Sequence, residues 1–407
     1  MTNPMGYVFI SYRSAKLPGV LRLRRKLEEH GIPVWHDKDS MPLGMLEKGM
    51  TEAIRNENCA GAVMWLSKDI TDSAAIQRIE HPEILHRIRR DDGFIVVFCL
   101  DDNLSFDDAQ SVLSKTHFNI NLRSFFLSPV GEADQEDNNM KALTQLMLEK
   151  RIQLIHSRLA ETEPLKIYVA GHSAPPATQD YALVIDHHRL FNGRFTDNET
   201  WKSKILPALD LIGDSIVRYA PGRTVIAEGT PQLSLALAFG YALRTTRGLR
   251  VNWLQAYPDS SSQLWGIESL SASKDFDIKR STDLLHGQDV AVLIGVTHDP
   301  KPTFDASAEE LPDFGATIQV MPRDQKYPSK ITDGVEAFSM TAAIIQEIRG
   351  TFQEFRLQGS IHLFIAGPVG LAFLLGRQLN TFGEVHCYEH VAEGPIGIYR
   401  NNLVMST

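Results

Sequence analysis

The chain has 407 residues, 43% hydrophobic and 22% charged, with a formal net charge of -9. That length exceeds one ordinary core and predicts two or three domains of a soluble globular protein. The acidic balance excludes a general nucleic-acid coat, because counterion release needs clustered Lys and Arg; a small anion held by backbone amides stays open.

Cys59, Cys99 and Cys387 lie far apart, without a CxxC or a Cys/His cluster. Neither a disulfide framework nor a metal site is implied, and a reducing cytoplasm fits. The opening MTNPMGYVFI has no basic flank before a long apolar stretch, so no secretory signal is expected. The run IHLFIAGPVGLAFLLG (361–376) is interrupted by Gly-Pro and falls short of the roughly 20 apolar residues of a membrane span. It reads as a buried strand, a turn and a buried helix.

In chain order, YVFISY, IPVWH, AGAVMWLS and FIVVFCL are apolar, β-branched runs with helical stretches between them. This is the pattern of βαβ units around a parallel sheet. Before the last of them, IEHPEILHRIRR (79–90) sets Glu80 and Glu83 on either side of Pro82. Pro82 suits a helix's first turn and Glu83 a position favoured by the helix dipole. Ile84, Leu85 and Ile88 mark the buried face, with Glu83 at its edge; Glu80 is expected to be a solvated charge. Next, GEADQEDNN (131–139) lacks apolar periodicity and predicts a linker. Met140, Leu143, Met147, Leu154, Ile155 and Leu159 then recur at helical spacing, so linker and connecting helix together span 131–164.

From Leu165 the alternation resumes through KIYVAG, YALVID, TVIAEG, LRVNWL, DVAVLIGVT, ATIQVMP, SIHLFIAG and EVHCYE, predicting a second, larger α/β domain over 165–407. It contains a weak repeat. At an offset of 136, Leu235, Ala236, Gly240 and Leu243 fall on Leu371, Ala372, Gly376 and Leu379. A true duplication would set two like units across a pseudo-twofold axis; the alternative is that buried αβ units resemble one another by composition. No GxxxxGK[ST], GxGxxG or HExxH occurs. AGHSA (170–174) lacks the last glycine of a nucleophile elbow and precedes Pro-Pro, so it reads as a strand-end loop.

VFISYRS (8–14), GIPVWHDKDSMPLG (31–44) and AVMWLS (62–67) have the order and spacing of a TIR domain and particularly resemble TIR domains that cleave NAD. The resemblance covers roughly Met5 to Val130 and implies a TIR domain over 1–130 with a flavodoxin-like parallel sheet, with NAD+ as substrate and no cofactor. It implies Ser11, Arg13, Trp35, Asp37 and Gly44 as NAD contacts and, counting back from FIVVF, Glu83 as the catalytic carboxylate. Ile79 stands where the family often has a tryptophan, leaving Trp35 or Trp65 to stack on nicotinamide. One carboxylate suffices, because nicotinamide departs neutral and only the oxocarbenium-like transition state needs stabilising. The bland alternatives are a helix-start acid at Glu83 and, for Arg13 and Asp37, an ion pair or loop support.

ALVIDHHRLFNGRFTDNETWKSKILPAL (182–209), VAVLIGVTHD (290–299) and LFIAGPVGLAFLLGRQLN, VHCYEH and YRN (within 363–401) resemble a SAVED domain. That family is a fused pair of CARF-like, Rossmann-type units sensing cyclic oligonucleotides in bacterial antiphage systems called CBASS. The repeat turns would offer helix N-termini to phosphates, through Gly229, Thr230, Gln232 and Ser234 in one and Gly367, Pro368 and Gly370 in the other. Thr297 and His298 are expected on the same rim. Lys202, Arg377, Trp265 and Tyr399 are candidates for phosphate contact or adenine stacking, with solvated surface or core packing as the alternative.

Together the resemblances imply a cytoplasmic NAD+ glycohydrolase switched on by a cyclic oligoadenylate, cyclic tri-adenylate, through head-to-tail homo-oligomerisation. The loop from Asp37 to Gly44 of one copy would complete its neighbour's site; neither a membrane nor polymeric nucleic acid is a partner. The alternative is a ligand-gated TIR adaptor without chemistry.

Overall fold

Parallel strands need crossover connections, and the first five strands obtain them from helices. The computed structural model describes every residue except 36–45, 102–103, 117, 119, 130–132, 178, 258, 267–275, 282–286, 332 and 394. Two units emerge: 1–167 with 176–186 and 218–220, and 168–175 with 187–217 and 221–407.

In the first unit, β1 (Tyr7–Ser11), β2 (Val34–Trp35), β3 (Cys59–Leu66), β4 (Ile95–Leu100) and β5 (Phe126–Pro129) form a sheet in the order β2-β1-β3-β4-β5. Every pairing is parallel. The helices between them are α1 (Leu17–Glu29), α2 (Leu46–Arg55), α3 (His81–Arg89) and α4 (Phe106–Ser114). All eight residues of β3 are buried, as a central strand covered on both faces must be. The flavodoxin-like order puts a switch point between β1 and β3, where ligands sit beyond the strands' carboxyl ends.

Helix α5 (Ala133–Arg158) belongs to the same unit. Its backbone is helical from Ala133, so most of the polar run expected as a linker supplies the helix's first turns. Buried Arg151 ties α5 down, donating to Gly6 O at 2.6 Å, Met5 O at 2.6 Å and Ala182 O at 2.8 Å.

The remaining strands are β6 (Leu165–Ala170), β7 (Leu183–Asp186), β8 (Val225–Thr230), β9 (Val251–Ala256), β10 (Ser262–Trp265), β11 (Phe276–Ser281), β12 (Asp289–Gly295), β13 (Phe314–Pro322), β14 (Ile361–Ala366), β15 (Glu384–Val391) and β16 (Ile398–Ser406). Among them lie α6 (Leu206–Tyr219), α7 (Leu233–Ala242), α8 (Lys301–Ala306), α9 (Gly334–Phe355) and α10 (Val369–Gln378). One sheet has the order β10-β9-β8-β6-β7 and the other, read from its far end, β16-β15-β14-β12-β13-β11. The five strands of the first correspond in order to the first five of the second, which adds β11 at its edge. In each, a parallel β-α-β unit (β8-α7-β9, β14-α10-β15) is followed by an antiparallel edge strand.

The duplication extends to atomic contacts. A Cβ on Gly240 of α7 would lie 2.1 Å from Phe373 O of α10, and one on Gly376 of α10 would lie 2.0 Å from Leu237 O of α7. At the offset of 136, Gly240 corresponds to Gly376 and Leu237 to Phe373, so the contact is reciprocal. Both helices are buried along most of their length and largely apolar on every face.

Alanine normally stabilises a helix interior relative to glycine by about 1 kcal/mol. Gly240→Ala should do the opposite, destabilising by about 1–3 kcal/mol through overpacking. Denaturant unfolding checks this; an unchanged or raised midpoint contradicts the close-approach account.

Candidate functional site

At the carboxyl end of β1 in the first unit, the Ser11 hydroxyl is fully buried without a hydrogen-bond partner. Such an orphan requires an explanation, and a ligand supplies one. Arg13, just beyond β1, pairs with Asp69 Oδ2 at 3.3 Å, and the Ser67 hydroxyl donates to Asp69 Oδ1 at 2.6 Å. The Ser67 hydroxyl and, less strongly, Arg13 hold the Asp69 carboxyl below the usual range. Half-buried Trp35 stacks on Phe9 at 5.2 Å between centroids. Trp65 is buried and its indole donates to Asp101 Oδ2 at 2.6 Å, so its ring is not a free platform. Asp37 and Gly44 lie outside the described residues.

The two carboxylates around Pro82 sit differently from expectation. Glu83 is locked in a fork with Arg55, its Oε2 accepting from Nε at 2.7 Å and its Oε1 from Nη2 at 2.6 Å. Arg55 ends α2, just before β3 begins. One turn further along α3, Arg87 donates to Ile54 O, Asn56 O and Cys59 O, so this part of α3 lies beside the amino end of β3. Glu80, expected as a solvated charge, is buried with 6% exposure. The helix does not begin at Pro82: a π-turn over Ile76–Glu80 leads into α3. Ile76, Glu80 and Ile84 therefore share one inward face at i, i+4 spacing, all buried. His81 is buried against Phe118, and burial lowers its pKa to about 4.

In the second unit a cavity of about 670 Å³ opens at the carboxyl ends of the strands flanking α7 and α10. Gly229, Thr230, Thr297, His298 and Gly367 line it. Gly229 has φ 143, and a side chain there would lie 2.1 Å from Val169 O. Gln232 and Pro368 are the N-cap residues of α7 and α10 rather than lining. Ser234 N–H and hydroxyl both donate to Glu389 Oε1 at 2.9 Å, and Gly370 N–H donates to Gln255 Oε1 at 2.9 Å.

Four weaker candidates lie away from the cavity lining. Lys202 is exposed. Buried Arg377 donates to Leu243 O, Val251 O and Leu249 O at 2.9–3.0 Å, which makes it a brace for loop carbonyls. Burial lowers its pKa to about 10. Trp265 is buried, donating to Tyr257 Oη at 3.2 Å. Tyr399 is buried edge-on to Phe364 at 5.1 Å, in the core.

The sequence did not single out Arg194, His172, His390, Glu389 or Gln255, all of which line the cavity. The last three lie near the carboxyl ends of β15 and β9. Burial, and for His172 also Arg194, lowers the pKa of His172; burial, then His390, lowers that of His298. Burial raises the Glu389 carboxyl despite the Ser234 donors. Among the described residues no cluster of His, Cys, Asp or Glu could hold a metal, and no helix is long and apolar enough to cross a membrane.

Residues 8–130 match the family model of the TIR domain, and 209–405 that of the SMODS-associated and fused to various effectors sensor domain, SAVED. The chain carries a TIR domain followed by a SAVED domain. CD-NTase-associated protein 4 of Moraxella osloensis is 26% identical over 238 residues, 56% of this chain and 47% of that protein. Its namesake in Enterobacter hormaechei is 25% identical over 202 residues, 49% of this chain and 39% of that protein. The chain thus spans about half the length, or less, of these curated relatives. The Acinetobacter baumannii Cap4 SAVED/CARF-domain containing receptor shares the fold. Its structure with the cyclic trinucleotide 3'3'3'-cAAA gives a TM-score of 0.52 at 15% identity, covering 90% of this chain and 87% of that one. The structure with 2'3'3'-cAAA gives 0.50 at 14%, covering 90% and 86%.

The SAVED brace is directly testable. Arg377→Ala leaves three buried carbonyls without their donor and should destabilise by about 3 kcal/mol or more. Arg377→Lys should not restore it, lacking the fork. Urea unfolding distinguishes this from a ligand-contact role, which would leave stability unchanged.

Proposed function

We propose that the chain is a cyclic-oligonucleotide-activated NAD+ glycohydrolase of a CBASS antiphage system. The SAVED cleft takes a cyclic oligoadenylate, with cyclic tri-adenylate as the preferred ring, and its binding switches on NAD+ cleavage by the TIR domain. One observation carries the sensor half: two like β-α-β units turn their strand ends onto a single cavity. A receptor of the same fold holds a cyclic trinucleotide. Arg194 supplies a cation at the cavity, and His172, His298 and His390 line it with ring nitrogens able to hydrogen-bond a phosphate or a base.

For the catalytic half, burial and position favour Glu80 over Glu83. Glu80 lies one turn nearer the carboxyl ends of the strands than Glu83 does, and π-turns are frequent at functional sites. Glu83 is committed to Arg55. In the reaction the ribosyl C1'–N bond breaks and its electron pair leaves with neutral nicotinamide. The carboxylate stabilises the oxocarbenium-like centre, and water adds to C1', losing a proton, to give ADP-ribose. Ring binding drives head-to-tail assembly of copies, with the segment from Asp37 to Gly44 completing the neighbouring site. Assembly raises the local concentration of each half-site.

Loss of NAD+ in the presence of cyclic tri-adenylate tests this. Glu80→Gln should reduce the rate about a hundredfold or more, as loss of transition-state electrostatics does, while Glu83→Gln should retain most activity. The opposite pattern returns the catalytic role to Glu83. Survival of NAD+ with the wild type and bound ring would make the TIR domain an adaptor.

A further inference from the structure

The two halves of the SAVED domain can be compared position by position. β8 pairs with β9 through Ala227 and Trp253, and β14 pairs with β15 through Leu363 and Cys387. Ala227 and Leu363 are related by the offset of 136. Gln255 and Glu389, each two residues further along, therefore occupy equivalent places. So do Ser234 and Gly370, the second residues of α7 and α10.

Each half reaches across to cap the helix of the other. Gln255 Oε1 accepts from Gly370 N–H, and Glu389 Oε1 accepts from Ser234 N–H, all at 2.9 Å. The geometry obeys the pseudo-twofold axis and the charge does not. One cap is a neutral amide; the other is a carboxylate with 1% exposure, and both line the cavity.

A ring of two or four like nucleotides has a twofold axis through its centre, whereas a ring of three does not. A twofold ring centred in the cleft offers equivalent phosphates to both halves. On the α10 side such a phosphate meets an amide. On the α7 side it meets a carboxylate already seated at the helix N-terminus, and like charges at close quarters are costly.

We infer that Glu389 is a specificity-determining residue, an internal anion that breaks the twofold symmetry of the cleft's charge and makes it select a ring lacking a twofold axis. This rests on the proposed binding of a cyclic oligonucleotide in the cleft. Glu389→Gln makes the two caps chemically alike while retaining an Oε1 acceptor for Ser234. Gln255→Glu, at a partly exposed position, gives both halves a carboxylate.

Equilibrium binding of cyclic di-, tri- and tetra-adenylate to the full chain tests the inference. Glu389→Gln should narrow the preference for the three-membered ring over either even ring by about tenfold or more. Gln255→Glu should weaken the three-membered ring by about tenfold. If the wild type binds a ring and both variants keep its affinities within about twofold, the role of Glu389 is overturned while the cleft assignment stands. If the wild type binds none of the rings, the cleft assignment fails and the inference with it.

Discussion

The SAVED domain depends on the close approach of α7 and α10. Gly240 and Gly376 let each helix bring backbone against backbone, and no side chain fits between them. Everything at the cleft follows from that contact. Because the helices cross at their small residues, their N-terminal ends come within reach of the opposite half's strand ends, and Gln255 and Glu389 can cap across the axis. Spacing the helices apart by one methyl group would open the caps and the cavity together. The largely apolar α7 and α10 and the fully buried β14 fix the distance between the two halves.

The TIR domain solves a related problem with one sheet. Its sheet order puts a switch point between β1 and β3, and the groups fixed at the end of β1 are the buried hydroxyl of Ser11 and the Arg13–Asp69–Ser67 set. Burying Glu80 is costly for an ionised carboxylate. It is nonetheless held there, between the buried Ile76 and Ile84.

Much of this was legible in the sequence, and the failures are physically informative. Strand and helix alternation is carried by apolar periodicity, so both α/β regions and the repeat could be read from residues such as Leu235 and Leu371. Glu80 was misjudged because Pro82 was taken as the start of a helix, although proline is tolerated throughout a first turn and the π-turn before it has no sequence signature. Arg377 looked like a phosphate ligand because charge is visible in sequence and burial is not; its donors end on three carbonyls. Glu389 and Gln255 were missed because their role is reciprocal. Neither cap is meaningful until the two halves are superposed.

The central claim is that two halves of one chain share a single ring, and the stoichiometry of binding tests it most directly. Titration calorimetry of cyclic tri-adenylate into the purified protein should give one ring per chain. Two rings per chain would mean that each half binds on its own, and no binding to the cleft at all would leave the pseudo-twofold architecture without the role assigned to it.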